Sequence, residues 1–226
     1  MSDILVVAAH PDDEVLGCGG TIAKYAAMGF SVDCMILGEG ATSRNDSSFA
    51  EMEKLKDYHK KVVGHLEINR TWMFSLPDQK FDSYPLLTII KMLENKIQVW
   101  GMPKYVLTHH PGDLNIDHRM TSQAVQTIFR PQPEIDINGM LFFETLSSTE
   151  WSHGFPPFEP TVYIDITDQL EMKLEAFSFY EDELREPPHP RSLEAIGNLA
   201  KVRGSQSGYI AAEAFSVGYM RGEMLL

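Results

Sequence analysis

Short unbroken apolar runs alternate along the chain with longer stretches in which apolar residues recur every three or four positions. The first run, ILVVAAH at residues 4–10, has no polar face and reads as a strand covered on both sides, as in a parallel sheet. Behind an acidic turn, EVLGCGGTIAKYAAMG (14–29) reads as a helix closed by Gly29, with Val15, Leu16, Ile22, Ala23 and Ala26 inward. SVDCMIL (31–37) is a second strand, followed by the polar loop GEGATSRNDSS and a charged amphipathic helix over about 49–63. TWMFS (71–75) is expected as a strand, YPLLTIIKMLENKIQVW as a helix after Pro85, and YVLTHH (105–110) as a strand again. DHRMTSQAVQTIF (117–129) is a helix stopped by Pro131; MLFFETL and TVYIDIT are two later strands, and two helical segments follow them.

Alternation of strand and helix through about the first 130 residues predicts an α/β fold, a mostly parallel sheet with helices on both faces. The whole chain, 1–226, is expected to form a single domain, with no internal repeat and no low-complexity segment. The proline-rich pieces RPQPEID, GFPPFEP and REPPHP read as surface connections able to carry lids over a site. In open α/β sheets ligands bind beyond the carboxyl ends of the strands. Polar clusters fall there after three strands: HPDDE, GEGATSR and HHPGDLNIDH.

Composition narrows the functions. A formal charge of −13 argues against a general nucleic-acid or anionic-membrane surface. No apolar stretch approaches a membrane span, and no basic leader precedes the first strand, so no integral membrane segment or cleaved signal is expected. Cys18 and Cys34 match no zinc or redox spacing and read as small buried hydrophobes, which suits a reducing cytoplasm.

In HPDDE, His10 and Asp13 stand three apart at a strand-to-helix turn and can face one point, with Asp12 projecting elsewhere. An imidazole with a carboxylate suits a zinc-like divalent cation, and a second carboxylate beside it suits proton abstraction from water. Helix capping by Asp12 or Asp13 is the plainer reading, yet capping needs one carboxylate and leaves the others beside a histidine unexplained. His118, opening a later helix on the same edge, completes a three-ligand set of His10, Asp13 and His118 with an open position. Asp117, Asp113, His109 and His110 surround it as candidates to orient ligands or transfer protons; each, taken singly, is equally well read as a cap or a loop residue. A dinucleotide fingerprint is excluded because Ile22 stands where its third glycine would be, and neither a G-x-S-x-G elbow nor a reactive-cysteine setting occurs.

The segments VVAAHPDDEVLGCGGTIAKYAAMG, GEGATSR, LPDQKFD, HHPGDLNIDHR and RGSQSGYIAAEAF together resemble the PIG-L/LmbE-like family of zinc-dependent N-deacetylases. That resemblance implies a Rossmann-like fold and hydrolysis of an acetamide on an amino sugar or glycoconjugate, with release of acetate. It implies Zn2+, or another divalent cation such as Fe2+, on His10, Asp13 and His118, and Asp12 as general base. It also points to Arg44 and Asp78 as substrate contacts, against the plainer reading of a solvated arginine and a turn aspartate. One departure stands out: family members often carry H-P-D-H before the last ligand, and this chain reads NIDH, with Asn115 in place of the first histidine. Asn115 can donate to an oxyanion but cannot deliver a proton, which leaves His109, His110 or protonated Asp12 for the leaving nitrogen. Hydrolysis of another small amide, such as an N-formyl sugar, and a non-catalytic sugar-binding relative are the alternatives. A small amino-sugar or glycoconjugate partner is expected, and a homo-oligomer is left open.

Overall fold

The first strand, β1 (Ile4–Ala8), lies in the interior of one seven-stranded sheet. The computed structural model describes residues 2–40 and 49–221. Side chains alternate along a strand, so Ile4, Val6 and Ala8 enter one hydrophobic layer and Leu5, Val7 and Ala9 the other. An unbroken apolar run is what burial on both faces demands. The parallel neighbours of β1 are β2 (Val32–Gly38) and β4 (Tyr105–His109); β3 (Arg70–Leu76) pairs parallel to β2, and β5 (Gly139–Phe143) to β4. The helices α1 (Asp13–Ala27), α2 (Phe49–His65), α3 (Leu86–Trp100) and α4 (Ile116–Ile128) intervene, as their periodicity predicts.

Strand order is β3-β2-β1-β4-β5-β7-β6, so the chain reverses direction across the sheet between β1 and β4. In doubly wound sheets the crevice at such a reversal is where ligands bind. HPDDE follows β1 and HHPGDLNIDH begins in β4, so both polar clusters open onto that crevice. One layer of core packs α1, α2 and the later helices α5 (Leu170–Ser178) and α6 (Leu193–Ser207) on the sheet; the other packs α3 and α4. Among the described residues no helix is long and apolar enough to cross a membrane.

The far edge differs from expectation. β6 (Val162–Asp165) falls where TVYIDIT predicts a strand, but it does not reach β5. A further strand, β7 (Ala212–Met220), inserts antiparallel between them. Its pattern hides it, because Glu213 is buried and Gly218 interrupts the apolar positions. Glu213 is buried for a reason that lies in α1. The helix breaks at Cys18 (φ −151°, ψ 25°) within the glycine-rich GCGG, freeing backbone donors beyond the break. Gly20 and Thr21 N–H donate to Glu213 at 2.9 and 2.7 Å, and Lys173 Nζ donates to the same carboxylate at 2.6 Å. Close approach explains the glycines: a Cβ on Gly17 would stand 2.2 Å from the Phe143 ring. Cys18 and Cys34 are buried and unpaired, as read.

Candidate metal centre and its cavity

Two elements bring the ligand candidates together. β1 ends at Ala8 and the turn into α1 carries His10 and Asp13; β4 ends at His109 and the loop into α4 carries His118. Asp13 Oδ2 lies 3.3 Å from His10 Nδ1 and 3.3 Å from His118 Nε2. Zinc bonds of about 2.0–2.2 Å at tetrahedral angles set ligand atoms about 3.3–3.5 Å apart, so the spacing fits a shared cation. The hydrogen-bond inventory agrees. Nε2 of His118 and Oδ1 of Asp13 are buried with no hydrogen-bond partner among the described residues, an arrangement that costs free energy unless something else binds them. The donor set of two imidazoles and a carboxylate suits zinc.

The ligands are held from behind. His10 Nε2 lies 2.9 Å from Asp117 Oδ2 and 3.0 Å from Asp78 Oδ1, which directs Nδ1 toward Asp13. These three residues also cluster closely enough to suggest a second cation. Asp117, however, already accepts the N–H groups of Gln79 (2.6 Å) and Phe81 (3.0 Å), which makes it an orienting group for His10 and for the loop after β3. His118 Nδ1 stands 3.1 Å from Asp113 Oδ1, and Asp113 is fixed in turn by the hydroxyls of Ser148 and Thr149 and by Asn115 N–H. Burial opposes charge on His118, but Asp13 and Asp113 outweigh it and push its pKa up to about 9. The same flanking carboxylates that draw a proton there would favour a cation.

Asp12 occupies the N-cap position of α1 at φ 116°, and its side chain makes no capping hydrogen bond. Its backbone N–H donates to Glu14 Oε2 at 3.0 Å, and Glu14 Oε1 accepts from Tyr180 Oη at 2.5 Å, so Glu14 steadies the turn as its position suggests. Burial drives the Asp12 carboxyl well above the usual carboxylate range, and Arg191 beside it pulls it back. Arg191 Nη1 is 2.9 Å from Asp12 Oδ2 and 2.9 Å from Glu183 Oε2, while its Nε donates to Ser147 Oγ at 2.8 Å.

These groups line a polar cavity of about 150 Å³, walled by His10, Asp12, Asp78, Asn115, Glu183 and Arg191 among others. Asn115 caps α4, its Oδ1 accepting from Asp117 N–H at 2.8 Å, which leaves Nδ2 as its donor. Asp78 joins the wall. Arg44 lies outside the described residues. His110 is not brought to the cavity: its Nε2 is 3.0 Å from the carbonyl of Pro156 and its ring packs against Phe158. His109 stacks on His118 with centroids 4.0 Å apart, and its Nε2 accepts Ala9 N–H at 2.9 Å. That bond fixes the proton on Nδ1; burial, then His118, lowers its pKa to about 3, so the ring stays neutral.

Residues 5–129 match the family PIG-L, GlcNAc-PI de-N-acetylase. The chain belongs to this family. The diacetylchitobiose deacetylase of Thermococcus kodakarensis is 24% identical over 225 residues, covering 93% of this chain and 80% of that one. A probable N-acetyl-alpha-D-glucosaminyl L-malate deacetylase of Bacillus subtilis is 28% identical over 184 residues, covering 76% and 79%. Among solved structures, the 4-carboxy-2-hydroxymuconate hydratase of Pseudomonas putida superposes with a TM-score of 0.77 over 100% of both chains at 20% identity. At that identity the likeness is one of fold and carries no reaction across.

Arg191, Glu183 and Ser147 escaped the sequence reading. Arg191 ends the stretch REPPHPR, and an arginine closing a proline-rich connection in an acidic chain was the signal available.

Proposed function

We propose that the protein is a metal-dependent hydrolase that removes the N-acetyl group of an N-acetylglucosamine-like amino sugar and releases acetate. One observation carries this reading: His10, Asp13 and His118 cluster within reach of one cation, and His10 shares the wall of an acidic cavity with Asp12. Membership of a de-N-acetylase family and relatives named as amino-sugar deacetylases support it.

His10, Asp13 and His118 would hold zinc, and zinc at such a site polarises a carbonyl and lowers the pKa of water. Asp12 stands at the wall with its carboxylate against Arg191, positioned to take the proton of the attacking water. Asn115 Nδ2 serves the oxyanion as a neutral donor. When the C–N bond breaks, the amine needs a proton. His109 spends its Nε2 on Ala9 and stays neutral, and His110 faces Pro156, so Asp12 returns the proton it took. Asp117 and Asp113 keep the two imidazoles aimed, and Asp78 contacts both His10 and the cavity in which the sugar hydroxyls would lie. Two unpaired buried cysteines suit the cytoplasm as the site of action.

The test is Asp12→Asn, zinc-loaded and assayed for acetate release from N-acetylated sugars. Turnover should fall by about 10²–10⁴-fold with zinc content unchanged. Wild-type turnover in this variant would refute the role given to Asp12.

A further inference from the structure

Glu14, His59 and Tyr180 lie fully buried on the side of the sheet that α1 and α2 cover, where the surrounding layer is hydrophobic. They form one connected chain. Tyr180 Oη donates to Glu14 Oε1 at 2.5 Å, and His59 Nδ1 lies 3.1 Å from Tyr180 Oη and 3.3 Å from Glu14 Oε1. His59 Nε2 is 2.7 Å from Thr71 Oγ1. Burial, then Glu14, pushes the Tyr180 phenol well above its ordinary pKa, so it keeps its proton and serves as a donor. Both groups facing His59 Nδ1 are then acceptors, which places a ring proton on that nitrogen. Thr71 comes from β3, His59 from α2 and Tyr180 from the turn after α5, and all three act on one oxygen of Glu14 directly or through each other. Its other oxygen, Oε2, takes the backbone N–H of Asp12 at 3.0 Å.

Fold stability alone does not call for this chain. Apolar side chains of similar volume would fill the layer without the cost of burying a carboxylate and an imidazole. What the chain supports is an unusual backbone. Asn115 and Ser192 show how helices of this protein ordinarily begin: both are extended, at φ −69° and −80°, and both side chains accept a helix N–H. Asp12 stands at the same position of α1 at φ 116°, a conformation that side-chain-bearing residues rarely adopt, and its carboxylate lines the cavity instead. Relaxation to the ordinary entry would turn that carboxylate back toward the helix N–H groups. Glu14 opposes this by holding the Asp12 N–H, and a glutamate with four bonds to rotate holds it only while its far oxygen is pinned.

Building on the deacetylase reading, we propose that His59 and Tyr180 are positioning residues for the base: through Glu14 they hold Asp12 in the turned backbone that keeps its carboxylate in the cavity. Tyr180→Phe removes only the hydroxyl and His59→Leu removes the ring donor. In zinc-loaded protein assayed on N-acetylated sugars, each should lower kcat by about 10–100-fold, with KM within about twofold and zinc stoichiometric. His59→Asn, whose Nδ2 can stand in for the Nδ1–H, should recover most of that loss. Hydrogen exchange read by NMR supplies a measure apart from turnover: in Tyr180→Phe the Asp12 amide should exchange about tenfold faster or more, while the amides of β1 keep their wild-type rates. Wild-type kcat in Tyr180→Phe, an unchanged Asp12 amide, an equal quickening of the β1 amides, loss of zinc, or a kcat loss that His59→Asn does not relieve overturns the proposal. The deacetylase reading fails separately. A wild type that releases no acetate refutes it, and the Asp12 amide in Tyr180→Phe then decides the positioning claim by itself.

Discussion

Asp12 sits at the start of a helix and does not cap it. Its backbone is turned to φ 116°, its N–H is held by Glu14, and its carboxylate meets Arg191 inside the cavity. A residue placed there for helix stability would use its side chain on the helix N–H groups, as Asn115 does on Asp117. The ligand assignment is testable in the same terms. His118→Ala removes one of three protein ligands and should abolish stoichiometric zinc by elemental analysis; full occupancy would contradict the assignment. The charge around His118 gives a pH prediction. Its folded pKa, raised to about 9, means that below that pH a proton occupies the nitrogen a cation needs. Metal binding therefore expels a proton, and zinc affinity should rise by up to about tenfold per pH unit between about pH 6 and about pH 8. Competition titrations showing a flat affinity across that window would contradict it.

At the scale of elements, α1 depends on β7. Beyond the break at Cys18, the N–H groups of Gly20 and Thr21 are satisfied by Glu213, and Lys173 neutralises that carboxylate. Glu213→Ala should destabilise the fold by about 3–5 kcal/mol in denaturant unfolding, because it strands a buried lysine. Gly17→Ala should cost about 1–3 kcal/mol, since its Cβ would overlap the Phe143 ring. A change below about 0.5 kcal/mol in either would show that α1 relaxes freely. The five parallel strands and the four helices between them were legible because each repeats an uninterrupted apolar run or a helical period. β7 was not legible, because the charge it buries answers a need created some two hundred residues earlier, which no local pattern records.

Across the whole molecule the same division holds. His10, Asp13 and His118 were legible because they follow strands whose parallel order forces them onto one edge. Arg191, Glu183 and Ser147 arrive on irregular segments after β5 and α5, and only the path of the chain brings them to Asp12. Asn115 shows the middle case: it replaces an expected histidine, and its cap to α4 explains why the site keeps its shape without that ring. The fold thus brings a candidate cation site, Asp12 and an acidic cavity together at the sheet's reversal point, and the function proposed from them is metal-dependent deacetylation. It is tested most directly by stripping the purified protein with a chelator, restoring zinc, and measuring acetate released from N-acetylated amino sugars in both states. The account predicts release that is lost on stripping and recovered with zinc; equal release from the stripped protein, or none from the zinc-restored protein with any such sugar, would contradict it.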